Sequence, residues 1–250
     1  MVVLWTALGL IVGGALNVLI SRLPTWGGRL AAPLCCHACH HPLATRDVLP
    51  LAGFTLQRGR CRYCGAPLSW RFPLVEAATA LLFALAYLRF GLAPTLPVYS
   101  FYLAVLLLVF VIDLRHRLIL NIVTYPAAII ALVLAAVTPG LSLPSAAFGG
   151  LIYGGFFALL YLVAALLYRR GDALGMGDVK LAFVIGIMAG LPRGIVALVL
   201  GVLLGAVSAV FVLAAGRSAK SAMPYGTALG LGAMVALLYG DLLAVWYIGQ

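Results

Sequence analysis

Apolar residues run along this chain in long unbroken blocks. The first block, 2–20, is followed by the one long polar stretch, 21–72. Beyond it lie blocks at 73–90, 95–112, 119–137, 145–168, 176–191, 195–215 and 223–247, separated by Pro, Gly or charged residues. A helix needs about 20 apolar residues to cross a bilayer, so the pattern predicts about eight transmembrane helices. The 176–191 block is short and contains glycine, which leaves seven spans plus a re-entrant segment as the alternative. All the blocks exceed strand length and lack strict alternation, favouring helices over a β-barrel. No internal repeat is visible. The first block has no basic flank before it and its arginines come after it, which favours a permanent span over a cleaved signal. The expectation is an all-α polytopic membrane protein with a first transmembrane helix at 1–20, a Cys-rich loop at 21–72 and a helical core at 73–250.

Composition agrees and narrows the choice. Of 250 residues 65% are apolar and 9% charged, whereas a soluble domain is about half apolar and a quarter charged. A large separate soluble domain does not fit in what remains. The net charge of +10 would suggest nucleic acid as the partner of a soluble protein. In a membrane chain it encodes orientation instead. With eight spans, 14 of the 16 basic residues fall on one side and only Arg89 and Arg193 on the other. The positive-inside rule then places the Cys-rich loop in the cytosol and both termini outside. The partner this charge predicts is the lipid bilayer, and no nucleic acid.

The loop carries Cys36-His37-Ala38-Cys39, then 21 residues, then Cys61-Arg62-Tyr63-Cys64. Two such pairs fit a tetrahedral zinc ribbon, each pair clamping one side of the ion. A reducing cytosol weakens the rival disulfide reading. Four thiolates around a dication leave two net negative charges, which Arg58, Arg60 and Arg62 would offset. The site reads as structural and closed. Cys35 is an additional thiol, and it or one of His37, His40 and His41 could replace a ligand. A metal-stapled plug that only holds the first two spans together fits the same spacing.

Only six acids are present, and acids inside apolar blocks are costly and functional by default. Asp47, Asp172 and Asp241 are most simply explained as solvated or surface-paired groups. Glu76 stands in the first turn of the second span near Arg71, where the helix dipole alone would favour an acid. Asp113 closes one block, and Asp178 opens another in Gly175-Met176-Gly177-Asp178-Val179-Lys180. In the eight-span topology both lie at cytosolic helix ends. Brought within hydrogen-bond reach they could not both ionise, so one would act as acid and the other as the base that activates water. Gly175 and Gly177 would let the backbone bend and approach a substrate strand. The alternative pairs Asp113 with Arg117 and Asp178 with Lys180.

These elements together resemble the type IV prepilin peptidases, along nearly the whole chain. The resemblance rests on Gly14-Ala15-Leu16-Asn17-Val18 with Arg22-Leu23-Pro24, on Gly59-Arg60-Cys61-Arg62-Tyr63-Cys64, and on Arg71-Phe72-Pro73-Leu74-Val75-Glu76. It continues through Ile112-Asp113-Leu114, Gly175-Met176-Gly177-Asp178-Val179-Lys180-Leu181 and Met223-Pro224-Tyr225-Gly226. It departs from the family pattern at Gly14-Ala15, at Leu120-Asn121 and in the added Cys35. The resemblance implies a bifunctional enzyme of the bacterial inner membrane that cuts the basic leader from prepilins and type II secretion pseudopilins on the cytosolic side. Asp113 and Asp178 match the two catalytic acids, with Gly175, Gly177 and Lys180 in the supporting loop. The paired cysteines imply the form that also N-methylates the new terminus with S-adenosyl-L-methionine, alongside structural Zn2+. Glu76 is the candidate for that second activity. No Gly-x-Gly-x-x-Gly fingerprint for the donor is present.

Two rival functions remain open on sequence. An ion-coupled transporter would use its acids near the midplane and show an inverted repeat. A zinc-stapled scaffold of a pilus or secretion machine would need neither aspartate.

Overall fold

The computed structural model describes residues 1–25, 36, 38, 39, 41, 50–167, 175–214 and 225–248. Eight helices are described: α1 (Val2–Arg22), α2 (Ala52–Leu56), α3 (Arg71–Phe90), α4 (Thr95–His116), α5 (Asn121–Ala135), α6 (Leu143–Leu167), α7 (Met176–Ala214) and α8 (Tyr225–Ile248). No strand occurs among the described residues beyond a single antiparallel bridge, Arg60 with Pro67. Among the described residues every apolar block is helical over most of its length, so the all-α multi-pass expectation holds. Eight spans are not confirmed: among the described residues six helices are long and apolar enough to cross a membrane. α5 falls short, because 15 residues extend only about 22 Å at 1.5 Å per residue against a core of about 30 Å.

The 176–191 and 195–215 blocks are the two arms of one helix, α7, broken at Gly190, whose φ of 67° and ψ of −173° are non-helical. Only glycine adopts that conformation without strain. Side chains of α6 satisfy the backbone groups freed by the break: the Leu191 amide donates to Ser145 Oγ at 3.1 Å, and the Tyr153 hydroxyl donates to the Leu191 carbonyl at 2.7 Å. Such satisfaction is required where no water is available. The arm before Gly190 is not among the six candidate spans.

The chain divides into two compact units, Met1–Leu92 and Ala93–Gln250. In the first, α1 and α3 pack backbone to backbone. A Cβ on Gly9 would lie 2.8 Å from Ala80 Cα, and one on Gly13 would lie 2.7 Å from Glu76 Cα. This is the small-residue helix contact usual in membranes, where close approach replaces the hydrophobic drive. The same stripe continues one turn on to Asn17, so the register that seats Gly13 on Glu76 also carries Asn17 to the start of α3.

In the second unit α4 is buried along most of its length, and α8 packs against both α4 and α7. Toward one end of the unit Arg193 makes a two-pronged ion pair with Asp241, Nε to Oδ1 at 2.5 Å and Nη2 to Oδ2 at 2.6 Å. Its Nη1 donates to the Tyr99 hydroxyl. Asp241 stays partly exposed near the end of α8, as expected, and also ties α8 to the second arm of α7. Asp47 and Asp172, with their neighbouring basic residues, lie outside the described residues.

Candidate active site and candidate metal centre

Within the second unit three helix ends converge. α4 runs to His116, so Asp113 sits in its last turn, 4% exposed. Arg117 closes the helix in a left-handed conformation, its amide donating to the Asp113 carbonyl at 2.8 Å. At the opening of α7, Gly175 takes the N-cap position and Asp178 the third helical position. The Asp178 amide donates to the Gly175 carbonyl at 3.0 Å, and the Gly175 amide donates back to Asp178 Oδ2 at 3.1 Å. This is the acidic half of a capping box. The Gly-x-Gly-Asp spacing is thus a local device that folds the carboxylate back over the helix start.

The two carboxylates lie close enough for the charge on Asp113 to act on Asp178, although 65 positions separate them in the sequence. α8 supplies the third side. The Thr227 amide faces the Asp113 carboxylate, Tyr225 stands within electrostatic reach of Asp178, and Gly226 lies directly against Asp113. Ile119, in the link between α4 and α5, wedges between Gly177 and Gly226; a Cβ on either glycine would come within 3.0 Å of it. The absence of a side chain at Gly177 thus also permits close packing against Ile119. Asp113 Oδ2 is buried and has no hydrogen-bond partner among the described residues.

Lys180 does not pair with Asp178. Its ammonium donates to Asn121 Oδ1 at 2.9 Å and stands 5.5 Å from the centre of the Tyr125 ring, fastening the start of α7 to the start of α5. Arg117 makes no ion pair with Asp113 among the described residues, but its charge lies within electrostatic reach of that carboxylate. Both aspartates occupy helix ends. The sequence missed Gly226 and Thr227 as neighbours of Asp113; the only signal was the Met223-Pro224-Tyr225-Gly226 motif, of which Met223 and Pro224 lie outside the described residues.

The first unit holds a separate cluster. The ligand atoms of Cys36, Cys39, Cys61 and Cys64 all lie within 4.8 Å of one another, and those of Cys36 and Cys64 are 3.7 Å apart. Sulfurs held tetrahedrally at 2.3 Å from zinc would be about 3.8 Å apart, so the donor set fits a metal ion. Each pair sits on a hydrogen-bonded turn: the Cys36 amide donates to His41 O at 2.9 Å, the Cys61 amide to Ala66 O at 2.8 Å and the Gly65 amide to Cys61 O at 2.8 Å. The His41 and Tyr63 rings, with centroids 3.8 Å apart, join the two turns. His41 is not part of the cluster, while Cys35, His37 and His40 lie outside the described residues.

The electrostatics of the cluster call for a cation. Backbone amides of Cys39 and Ala38 hold the Cys36 thiol down at about 6 against the opposing effect of desolvation. At Cys64 the Ala66 amide pulls the same way, but desolvation and the sulfurs of Cys39, Cys61 and Cys36 push the thiol up to about 12. A bound cation would relieve the repulsion between neighbouring thiolates.

Glu76 is buried at 5% exposure, so a surface acid favoured by the helix dipole does not describe it. Its Oε1 accepts from Asn17 Nδ2 at 3.2 Å and its Oε2 from the Leu51 amide at 2.7 Å. Leu51 adopts a φ of 55° to deliver that amide, a strained conformation for a residue with a side chain.

These features define a multi-pass helical membrane protein with two carboxylates converging at helix ends and a four-cysteine loop able to bind a metal. The chain belongs to the type IV leader peptidase family. The bacterial peptidase A24 N-terminal domain model matches residues 7–90 and the type IV leader peptidase family model residues 100–210, one in each compact unit. A prepilin leader peptidase/N-methyltransferase of Bacillus subtilis is 31% identical, covering 96% of this chain and 95% of its own. Enzymes of the same name from Aeromonas hydrophila and Klebsiella pneumoniae are 31% and 37% identical, covering 96% and 73% of this chain and 91% and 82% of their own. No solved structure matches the chain.

Proposed function

We propose that this protein is a prepilin leader peptidase with N-methyltransferase activity, and that Asp113 and Asp178 perform the cleavage. The convergence of these two carboxylates from separate helix ends is the observation that carries the reading. Two carboxylates brought within hydrogen-bond reach share a single proton. The unprotonated member takes a proton from water as that water attacks the scissile carbonyl; the protonated member supports the developing alkoxide and then delivers a proton to the leaving amine. Asp113 Oδ2, buried without a partner among the described residues, is the open acceptor for that water. The capping bond from Gly175 fixes Asp178, and Lys180 braces the same turn from Asn121.

The seven arginines of the Cys-rich loop (21–72) favour the cytosolic side of a bacterial inner membrane for that loop, and both aspartates are proposed to work on the same side. Leader sequences of type IV prepilins and type II secretion pseudopilins are the proposed substrates, and the corresponding pilus or secretion machinery the recipient. Zinc is the proposed metal, held by Cys36, Cys39, Cys61 and Cys64 as a structural staple. For the second activity S-adenosyl-L-methionine supplies the methyl group. Orphaned polar atoms beside Glu76, on Asn17 and Arg71, fit a polar ligand at that position.

The test is cleavage of a purified prepilin in detergent by the wild type, Asp113→Asn and Asp178→Asn. Asparagine keeps the size of each side chain and, at 178, an oxygen for the Gly175 amide, so both variants should fold and melt as the wild type does. Cleavage should fall at least a thousandfold in each. Full cleavage by either variant would remove the two-aspartate mechanism.

A further inference from the structure

We propose that Asn17, Arg71 and Glu76 bind the amino-acid end of the methyl donor, S-adenosyl-L-methionine; the inference rests on the methyltransferase reading and locates that site. The three side chains belong to one network at the adjoining ends of α1 and α3. Asn17 Nδ2 donates to the Phe72 carbonyl at 2.9 Å and to Glu76 Oε1 at 3.2 Å. Arg71 Nη2 donates to Ser21 Oγ at 2.7 Å, and that hydroxyl donates to the Asn17 carbonyl at 2.8 Å.

Two atoms of this network are left over. Asn17, 2% exposed, has both donors engaged yet its Oδ1 is buried without a partner among the described residues, and Arg71 Nε is in the same condition. The donors of Asn17 have a structural use in bridging Phe72 and Glu76, but a buried acceptor left unmet beside them is costly unless a ligand fills it. One orphaned acceptor beside a carboxylate, together with one orphaned guanidinium donor, is the complement of a zwitterion. The ammonium of an amino acid satisfies Asn17 Oδ1 and Glu76, and its carboxylate satisfies Arg71 Nε.

Charge argues the same way. Glu76 is one of only two acids in Met1–Leu92, against eight arginines. A cationic ligand entering this unit has few other anions to meet. Arg71 and Phe72 are only half-buried, so the network reaches the surface of its unit. The strained Leu51 holds the end of the Cys-rich loop against Glu76, and the structure spends backbone strain here, as functional sites do.

The test is calorimetric titration of the detergent-solubilised full chain with S-adenosyl-L-methionine and with S-adenosylhomocysteine, which share the amino-acid end but differ in the sulfonium charge. Glu76→Gln keeps the shape and an acceptor, and Asn17→Leu removes the orphaned oxygen; zinc content and melting temperature report their folding. Both variants should bind both ligands at least tenfold more weakly. Binding unchanged in a folded Glu76→Gln protein would overturn the site. A loss confined to S-adenosyl-L-methionine would overturn the amino-acid assignment by setting the sulfonium against Glu76. A wild type that binds neither ligand and methylates no cleaved pilin fails the methyltransferase reading itself, a result distinct from the other two.

Discussion

Gly226 at the start of α8 lies so close to Asp113 that a Cβ there would sit 2.9 Å from Oδ2 and 3.1 Å from Cγ. The same added carbon would meet Ile119 Cδ1 at 3.0 Å. The carboxylate oxygen is the nearer of the two and lies under 3.0 Å, so the carboxylate must turn.

Gly226→Ala should therefore separate folding from cleavage. The helix gains a good helix former, so the melting temperature should change little, while the Asp113 carboxylate is displaced by a few tenths of an ångström or more. Misplacement of a reacting group on the ångström scale costs on the order of a hundredfold in rate. Single-turnover cleavage of a prepilin would measure it, and an unchanged rate would mean that Asp113 is not positioned by α8.

The sequence exposed the apolar blocks because the bilayer imposes one long-range rule on all of them. It exposed the cysteine cluster because a metal site is written in short spacing. It also picked out Asp113 and Asp178, since an acid at the end of an apolar block has few structural uses. What it could not carry was contact between helices far apart in the chain. Arg193 and Asp241 each look like terminal charges until α7 and α8 are packed, and nothing local joins Gly226 to Asp113. The merging of two blocks at Gly190 was hidden for a different reason: its broken hydrogen bonds are met by Ser145 and Tyr153 of another helix. Lys180 shows the opposite error, because proximity in sequence to Asp178 suggested a partnership that Asn121 holds instead.

Arg193 and Asp241 form a partly exposed pair, with side chains 19% and 42% accessible, so solvent screening limits what the pair contributes. The two-pronged geometry and the Tyr99 hydroxyl raise it above an ordinary surface contact. Asp241→Ala should lower stability by about 1–2 kcal/mol, equivalent to roughly 2–8 °C in melting temperature for a chain of this size. Arg193→Ala should do the same, and the double variant should cost no more than either single one, because the coupled partner is already lost. A melt in detergent reads all three.

Metal analysis should return one zinc per chain, falling to near zero in Cys61→Ser, where a 2% exposed ligand is replaced. Because ligation and folding of such a loop are the same event, a chelator should open the turns around Cys36 and Cys61 to limited proteolysis. Cleavage of prepilin should survive better than methylation, since both aspartates belong to the unit Ala93–Gln250 while the cysteines belong to Met1–Leu92. Equal loss of the two activities would show that the metal loop serves the aspartate site as well.

Gly13 offers the last discrimination, within the first unit alone. A Cβ at this position would lie 2.7 Å from Glu76 Cα and 3.1 Å from Thr79 Oγ1, and the first of these is backbone that cannot rotate away. Gly13→Val must therefore push α1 off α3, at a cost of about 1–3 kcal/mol for overpacking. The displacement acts one turn from Asn17, whose bonds to Phe72 and Glu76 depend on the same helix register. Methylation and donor binding should fall tenfold or more, while cleavage, carried by carboxylates on α4 and α7, should fall less. A control at the outward-facing Ile11, which is 64% exposed, should leave both activities in place when changed to Val. If Gly13→Val and Ile11→Val behave alike, the α1–α3 register has no bearing on the second activity.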